Sequence, residues 1–229
     1  MTRGILIAGN ESSLFSAAAA EAAKRVESFA SSVIPNRFHL PGGENVPQPV
    51  TEKISASIPL PWNPSSPISA RTMVLAAENR LGKISDAVII CSPPAVFRTA
   101  ETLTPEEIEI LVNDQIKGWF FLVRELSLYF RRIGAGNLSL VASETVSAGA
   151  GKSASSADLL GPSALGSFMA FAQGILTLSA NEPFRVTGYG SAEAGSEAEF
   201  AAWFFRMIDE SDSKNSGRWN RFSKFKLFR

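Results

Sequence analysis

Cysteine, histidine and tyrosine are scarce in this chain: one Cys, one His and two Tyr among 229 residues. A lone Cys91 excludes an internal disulfide. The single His39, between Phe38 and Leu40, has no second histidine and no cysteine nearby, so a metal site is not expected and His39 reads as a structural or surface residue. Net charge is also lacking, with 22 basic against 22 acidic residues, and no global field draws nucleic acid or an anionic membrane to the surface. Long apolar runs are missing as well. A bilayer span needs about 18 such residues, and the most apolar stretch, Trp119 to Phe130, holds Arg124 and Glu125. Met1 to Asn10 has neither the basic start nor the apolar run of a secretory signal, which leads us to expect a cytoplasmic protein without a membrane span.

What is present is an alternation of strand-like and helix-like segments over one domain, residues 1–229. Gly4-Ile5-Leu6-Ile7-Ala8 is a short continuous apolar run, the pattern of a strand buried on both faces of a parallel sheet. It ends in Gly9-Asn10-Glu11-Ser12-Ser13, and the alanine-rich Ser16 to Ala30 predicts a helix. In nucleotide-binding versions of this strand–turn–helix unit, glycines let the backbone approach a pyrophosphate at the helix N-terminus. Only Gly9 survives of a Gly-x-x-x-Gly-x-Gly pattern, with Ser13 and Phe15 at the later glycine positions; Phe15 is expected to crowd the cofactor or the helix–strand contact. A plain turn that holds no ligand is the competing reading. The candidate cofactor-binding residues are Gly9, Ser12, Ser13, Leu14 and Ser92.

Prolines crowd the segment from Val33 to Pro67, which leaves room only for short edge strands at Val33–Ile34 and Ile54–Ile58. Ser69 to Leu81 has helical periodicity and stops at Gly82; Asp86 to Cys91 is a second buried strand, ended by Ser92-Pro93-Pro94. Thr104-Pro105-Glu106-Glu107 combines an N-cap, a first-turn proline and a capping glutamate, so a long helix through Phe130 is expected. Leu138 to Ala142 is a third strand, ending on Ser143. Ala148-Gly149-Ala150-Gly151-Lys152-Ser153 has P-loop flavour but Val146 where that motif needs glycine, and it reads as a small-residue loop. Phe184 to Gly190 predicts a strand, and Glu197 to Ile208 a helix with Phe200, Trp203, Phe204 and Met207 inward. Residues 214–229 carry Lys214, Arg218, Arg221, Lys224, Lys226 and Arg229 with four aromatics and no acid. A final strand with a solvated basic surface, a subunit contact and an anionic-surface contact all fit that composition.

Four blocks in this order, Arg80-Leu81-Gly82-Lys83-Ile84-Ser85-Asp86, Thr104-Pro105-Glu106-Glu107, Gln115-Ile116-Lys117-Gly118 and Gly136 to Ser143, resemble the short-chain dehydrogenase/reductase family over roughly residues 1 to 210. The resemblance implies an α/β fold with a doubly wound, mostly parallel, Rossmann-like sheet in three α/β/α layers, binding NAD(H) or NADP(H). It implies a site of serine, tyrosine, lysine and asparagine, in which the lysine lowers the pKa of the proton-donating tyrosine. It also implies a homodimer or higher homo-oligomer, built through the long helix and the Phe168–Leu176 helix. Carried over, Ser143 matches the serine and Gln115 stands at the asparagine. Gly161 and Leu165 stand near the tyrosine and the lysine; no tyrosine occurs between Tyr129 and Tyr189, and Lys152 is the sole lysine between Lys117 and Lys214. A positioned acid contributes about 10²–10⁴-fold to such chemistry. The expectation is therefore a catalytically impaired member of this fold, with no NAD(P) or weakly bound NAD(P), acting by binding as a homodimer or with an active relative. The alternative is an NAD(P)-dependent oxidoreductase with a rearranged site, in which Ser143, Gln115 and substrate or solvent supply the proton transfers.

Overall fold

The computed structural model describes residues 3–38, 56–145, 157–210 and 216–224. His39, the Ala148–Ser153 stretch with Lys152, and Phe225–Phe228 lie outside the described residues. In chain order the elements are β1 Ile5–Asn10, α1 Ser13–Ala23, β2 Phe29–Ile34, β3 Ser57–Pro59, α2 Pro67–Leu81, β4 Asp86–Cys91 and β5 Phe97–Arg98. Then follow α3 Pro105–Ile110, a π-helix Leu111–Lys117, α4 Gly118–Ile133, β6 Asn137–Ser143 and β7 Ala157–Asp158. The chain continues with α5 Leu160–Leu178, β8 Arg185–Ser191, α6 Glu197–Asp209 and β9 Arg218–Arg221.

Seven strands form one sheet in the order β3-β2-β1-β4-β6-β8-β9, and every neighbouring pair is parallel. β5 and β7 make a separate antiparallel pair. Because parallel crossovers cover both faces, β1 and β4 are buried along their whole length, which is why they read as unbroken apolar runs. Side chains alternate across the sheet. Leu6, Ala8, Ile89 and Leu140 pack with Trp119 and Phe130 of α4 and Phe168 of α5 on one side. Ile5, Ile7, Val88 and Val141 pack with Phe15 of α1 and Phe200 and Phe204 of α6 on the other. The result is a three-layer α/β/α arrangement, doubly wound about the point between β1 and β4 where the strand order reverses.

Several boundaries depart from the sequence reading. The first helix ends at Ala23, not Ala30, because Phe29 and Ala30 belong to β2; the alanine run has helix propensity, but the chain must return to the sheet. β2 is not a two-residue edge strand: it lies between β1 and β3 and is buried at five of its six positions. Its serines disguised it. Ser31 Oγ is satisfied by Ser57 Oγ at 2.6 Å. The final strand falls at Arg218–Arg221, where Trp219 lies against Gly188 and Gly190. On α6 the fully inward residues are Phe200, Phe204, Phe205 and Ile208, with Trp203 and Met207 only partly buried. Among the described residues, Leu160–Asn181 is the stretch long and apolar enough to cross a membrane, not Trp119–Phe130; it carries no charged side chain, whereas α4 holds Arg124 and Glu125. One face of that helix, with Leu165, Phe168, Ala172 and Leu176, is packed into the core.

The N-terminal ends of the central strands are tied by a polar chain. Arg3 Nε donates to Asp86 at 2.6 Å, Asn137 Nδ2 donates to the other Asp86 oxygen at 2.5 Å, and Arg185 Nε donates to Asn137 at 2.6 Å. This belt fixes the relative height of β4, β6 and β8, and with it the position of their functional C-terminal ends.

Candidate functional site

Ligands of open α/β sheets sit outside the C-terminal strand ends at the switch point, here between β1 and β4. β1 delivers Asn10 to that point, and its side chain is 2% exposed. Ser92 N–H can only donate, so Asn10 Oδ1 faces it at 2.9 Å; this leaves Asn10 Nδ2 to donate to Gln115 Oε1 at 2.8 Å. Asn10 therefore ties the end of β1 to the turn after β4 and to the π-helix. Beside it, Arg37 from the segment after β2 grips Asp114 through Nε at 2.9 Å and through its terminal nitrogen. Asp114 is 1% exposed. The hydrogen-bonded carboxylate raises the Arg37 pKa further above its ordinary value. The lining also includes Glu11, Pro35, Phe38, Pro94 and Ile110, and no water-sized space remains between these side chains.

The local folding explains these positions. The seven-residue π-helix widens the turns that carry Asp114 and Gln115 inward; both are buried. Gly118 closes the Gln115-x-x-Gly118 block because a Cβ there would stand 2.7 Å from Pro64 Cβ. Gly9 is needed for a similar reason, since its Cβ would meet the Ile90 carbonyl at 2.7 Å and the Phe15 ring at 3.1 Å. Phe15 thus fills the helix–strand contact and not the crevice. Ser12 caps α1, accepting from Phe15 N–H at 3.1 Å. Ser13 is exposed, whereas the Leu14 side chain is 1% exposed and belongs to the core, leaving only its backbone at the helix start.

Ser143 lies apart from Gln115 in bonding terms. Its Oγ pairs with Thr145 Oγ1 at 2.9 Å, and in the register it sits beside Ser191. Gly161 and Leu165 fall in the first turns of α5, both buried, Leu165 at 4% exposure within the core. No ionisable group stands at either place. Three acidic residues near the strand ends escaped the sequence reading. Besides Asp114, Glu144 follows Ser143 and has one buried oxygen without a partner; Arg221 lies 3.5 Å from the other. Trp219 Nε1 is likewise unpartnered, and both atoms lie within 3 Å of where a Gly190 Cβ would stand, at 2.2 and 2.9 Å. Asp158 accepts from Gly161 N–H at 2.9 Å, with its second oxygen buried and unpartnered. Among the described residues, no group of three or more His, Cys, Asp or Glu is placed to hold a metal. Cys91, at the end of β4, is wholly buried, and burial pushes its thiol pKa far up. A separate groove of about 770 Å³ opens at the opposite, N-terminal edge, lined by Lys83, Ser85, Asn137 and Arg185 among others.

No family model matches the sequence. No curated protein matches it either. Solved structures do. A short-chain type dehydrogenase/reductase from Mycobacterium marinum superposes with a TM-score of 0.74 at 14% identity, over 96% of this chain and 93% of that one. A 3-ketoacyl-(acyl-carrier-protein) reductase from Brucella melitensis, complexed with NADH, gives 0.71 at 18% identity over 96% of each chain. An NADH-dependent reductase, A1-R′, complexed with NAD, gives 0.70 at 11% identity over 96% and 95%. The chain therefore has the Rossmann-like fold of the short-chain dehydrogenases/reductases. Asn10, Gln115 and the Arg37–Asp114 pair fill the crevice beside the end of β1.

Proposed function

We propose that this chain is a binding protein on the short-chain dehydrogenase/reductase fold, a single domain that lacks the family's tyrosine–lysine proton relay. The observation that carries the reading is the pair Gly161 and Leu165, buried and without a titratable group at the relay positions. Ser143 alone supplies no substitute, since an unperturbed hydroxyl is a poor acid near neutral pH. The closed switch-point crevice supports an empty or weakly occupied resting state. The protein works as a homodimer or as the partner of an active relative, in the cytoplasm. Exposed Phe120 and Leu128 on α4 and Leu178 on α5 support an apolar subunit contact, and open space over Gly166 and Gly174 permits close approach. The test is calorimetric and fluorescence titration of the purified protein with NADH and NADPH. Weak or absent binding is expected; saturable micromolar binding to both would overturn the empty resting state.

A second reading, an NAD(P)-dependent oxidoreductase with a rearranged site, is favoured by the neighbours solved with NADH and NAD. Retention of Ser143 at its strand end and of Gln115 in the crevice supports it too. Ser143-dependent turnover with a carbonyl panel would establish it.

A further inference from the structure

The strand ends opposite the switch point carry the groove of about 770 Å³, a volume in the range that takes small organic ligands. It crosses the N-terminal ends of β4, β6 and β8: Lys83 comes from the turn after α2, Ala135 from the turn after α4, and Ala180 and Glu182 from the turn after α5. Helix C-termini point this way, and open carbonyls there would favour a cation. Those of α4 and α5 are engaged. Phe130 O accepts from Gly134 N–H at 2.9 Å, Leu176 O from Ser179 Oγ at 2.7 Å, and Ser179 O from Glu182 N–H at 3.1 Å. The side chains tip the balance towards an anion. Glu182, the one acid of the lining, is gripped by Arg131 in a fork. Arg185 gives Nε to the neutral amide of Asn137, and the Asp86 carboxylate beyond that amide is held by Arg3. Lys83 is exposed and makes no ion pair among the described residues. Ser85 Oγ accepts from Gly4 N–H at 3.5 Å, which leaves its own proton to donate. Two cations against one acid already paired give the lining an excess of one positive charge.

We propose that this groove is a binding site for an organic carboxylate on a small apolar body, its anion drawn by Lys83 and Arg185 and its body laid against Ala135, Ala180 and Pro183. A monoanion matches the excess charge of the lining, and the alanine and proline surfaces offer an apolar body the contact that a bare inorganic anion cannot use. The groove lies at the other end of the strands from the switch-point crevice, so the site stands whether or not that crevice holds a ligand.

The experiment is isothermal titration calorimetry of the full chain with benzoate, 2-naphthoate and decanoate, each set beside its neutral primary amide. Saturable binding of at least one carboxylate is expected, with its amide about tenfold or more weaker, as when a charge-assisted hydrogen bond is lost. Two exposed positions locate the ligand. Lys83→Glu turns attraction into repulsion and should weaken the carboxylate about tenfold while leaving the amide unchanged. Lys83→Gln, which removes the charge without reversing it, should fall between Lys83→Glu and the wild type. Ala180→Trp fills the groove and should abolish binding. Each variant is first shown to keep the circular dichroism and melting of the wild-type protein. No saturable binding of any of the three carboxylates up to millimolar concentrations overturns the site. Equal affinity for a carboxylate and its amide overturns the choice of an anion, and carboxylate binding that survives both Lys83→Glu and Ala180→Trp overturns the placement in this groove.

Discussion

Replacing Asn10 by alanine tests the architecture of the crevice at its most buried point. The substitution strands two groups at once. Gln115 Oε1, on a residue 3% exposed, loses its donor, and Ser92 N–H loses its acceptor. A buried polar group left unsatisfied costs about 1–3 kcal/mol, so N10A, which strands two, is expected to destabilise the protein by about 2–6 kcal/mol, reduced where the Gln115 amide turns to find another partner. In a chain of this size each kcal/mol moves the melting temperature by about 2–4 °C. The assay is urea denaturation followed by circular dichroism, with a fall in midpoint at constant slope as the mark of a stability change. Asn10→Asp is the control. Its carboxylate still accepts from Ser92 N–H, and Gln115 can rotate its amide so that Nε2 donates, which makes N10D milder than N10A at neutral pH. The cycle with Gln115→Ala should show coupling of at least about 0.5 kcal/mol, because the two amides share a hydrogen bond. An N10A cost below about 0.5 kcal/mol, or strict additivity with Q115A, would refute the argument.

Three further expectations follow from packing and burial. Gly188→Ala places a methyl 2.0 Å from Trp219 Cε3, so it should cost about 1–3 kcal/mol by denaturant unfolding and be largely silent in a W219A background. Tyr189 has its phenol pushed up to about 12 by burial. Its folded-state pKa exceeds the unfolded value of about 10, so its contribution to stability is intact below that value and is lost as pH rises towards about 12. A spectrophotometric titration should accordingly show tyrosinate in the unfolded chain well before the native one, and coincident curves would contradict it. Cys91, wholly buried at the end of β4, should resist thiol reagents in the native state and react fully only on unfolding; rapid native labelling would contradict the placement of β4 at the centre of the sheet.

Much of the fold was legible because the central strands are buried on both faces. β1 and β4 appear as short apolar runs, β6 carries Leu138, Leu140 and Val141, and Thr104 with Glu107 announces a helix by a local capping pattern that the structure contains. β2 was not legible, since its buried Ser31 is satisfied only by Ser57, distant in sequence, and the alanine run before it obscured the boundary. At the site, Gly9, Ser92 and Gln115 could be found from family-like spacing. Asn10, Arg37 and Asp114 could not: their pairings span 105 and 77 residues and leave no local period. Glu144 and Asp158 matter through oxygens left without partners, a property that exists only once the chain has folded.

The central proposal is that this chain keeps the fold but works without the tyrosine–lysine proton relay. The most direct test is oxidation of NADH and NADPH over a panel of carbonyl substrates, by wild-type protein and by Ser143→Ala side by side. The account predicts no oxidation above that of the Ser143→Ala protein. Turnover that Ser143→Ala abolishes would contradict it and place this chain among working oxidoreductases.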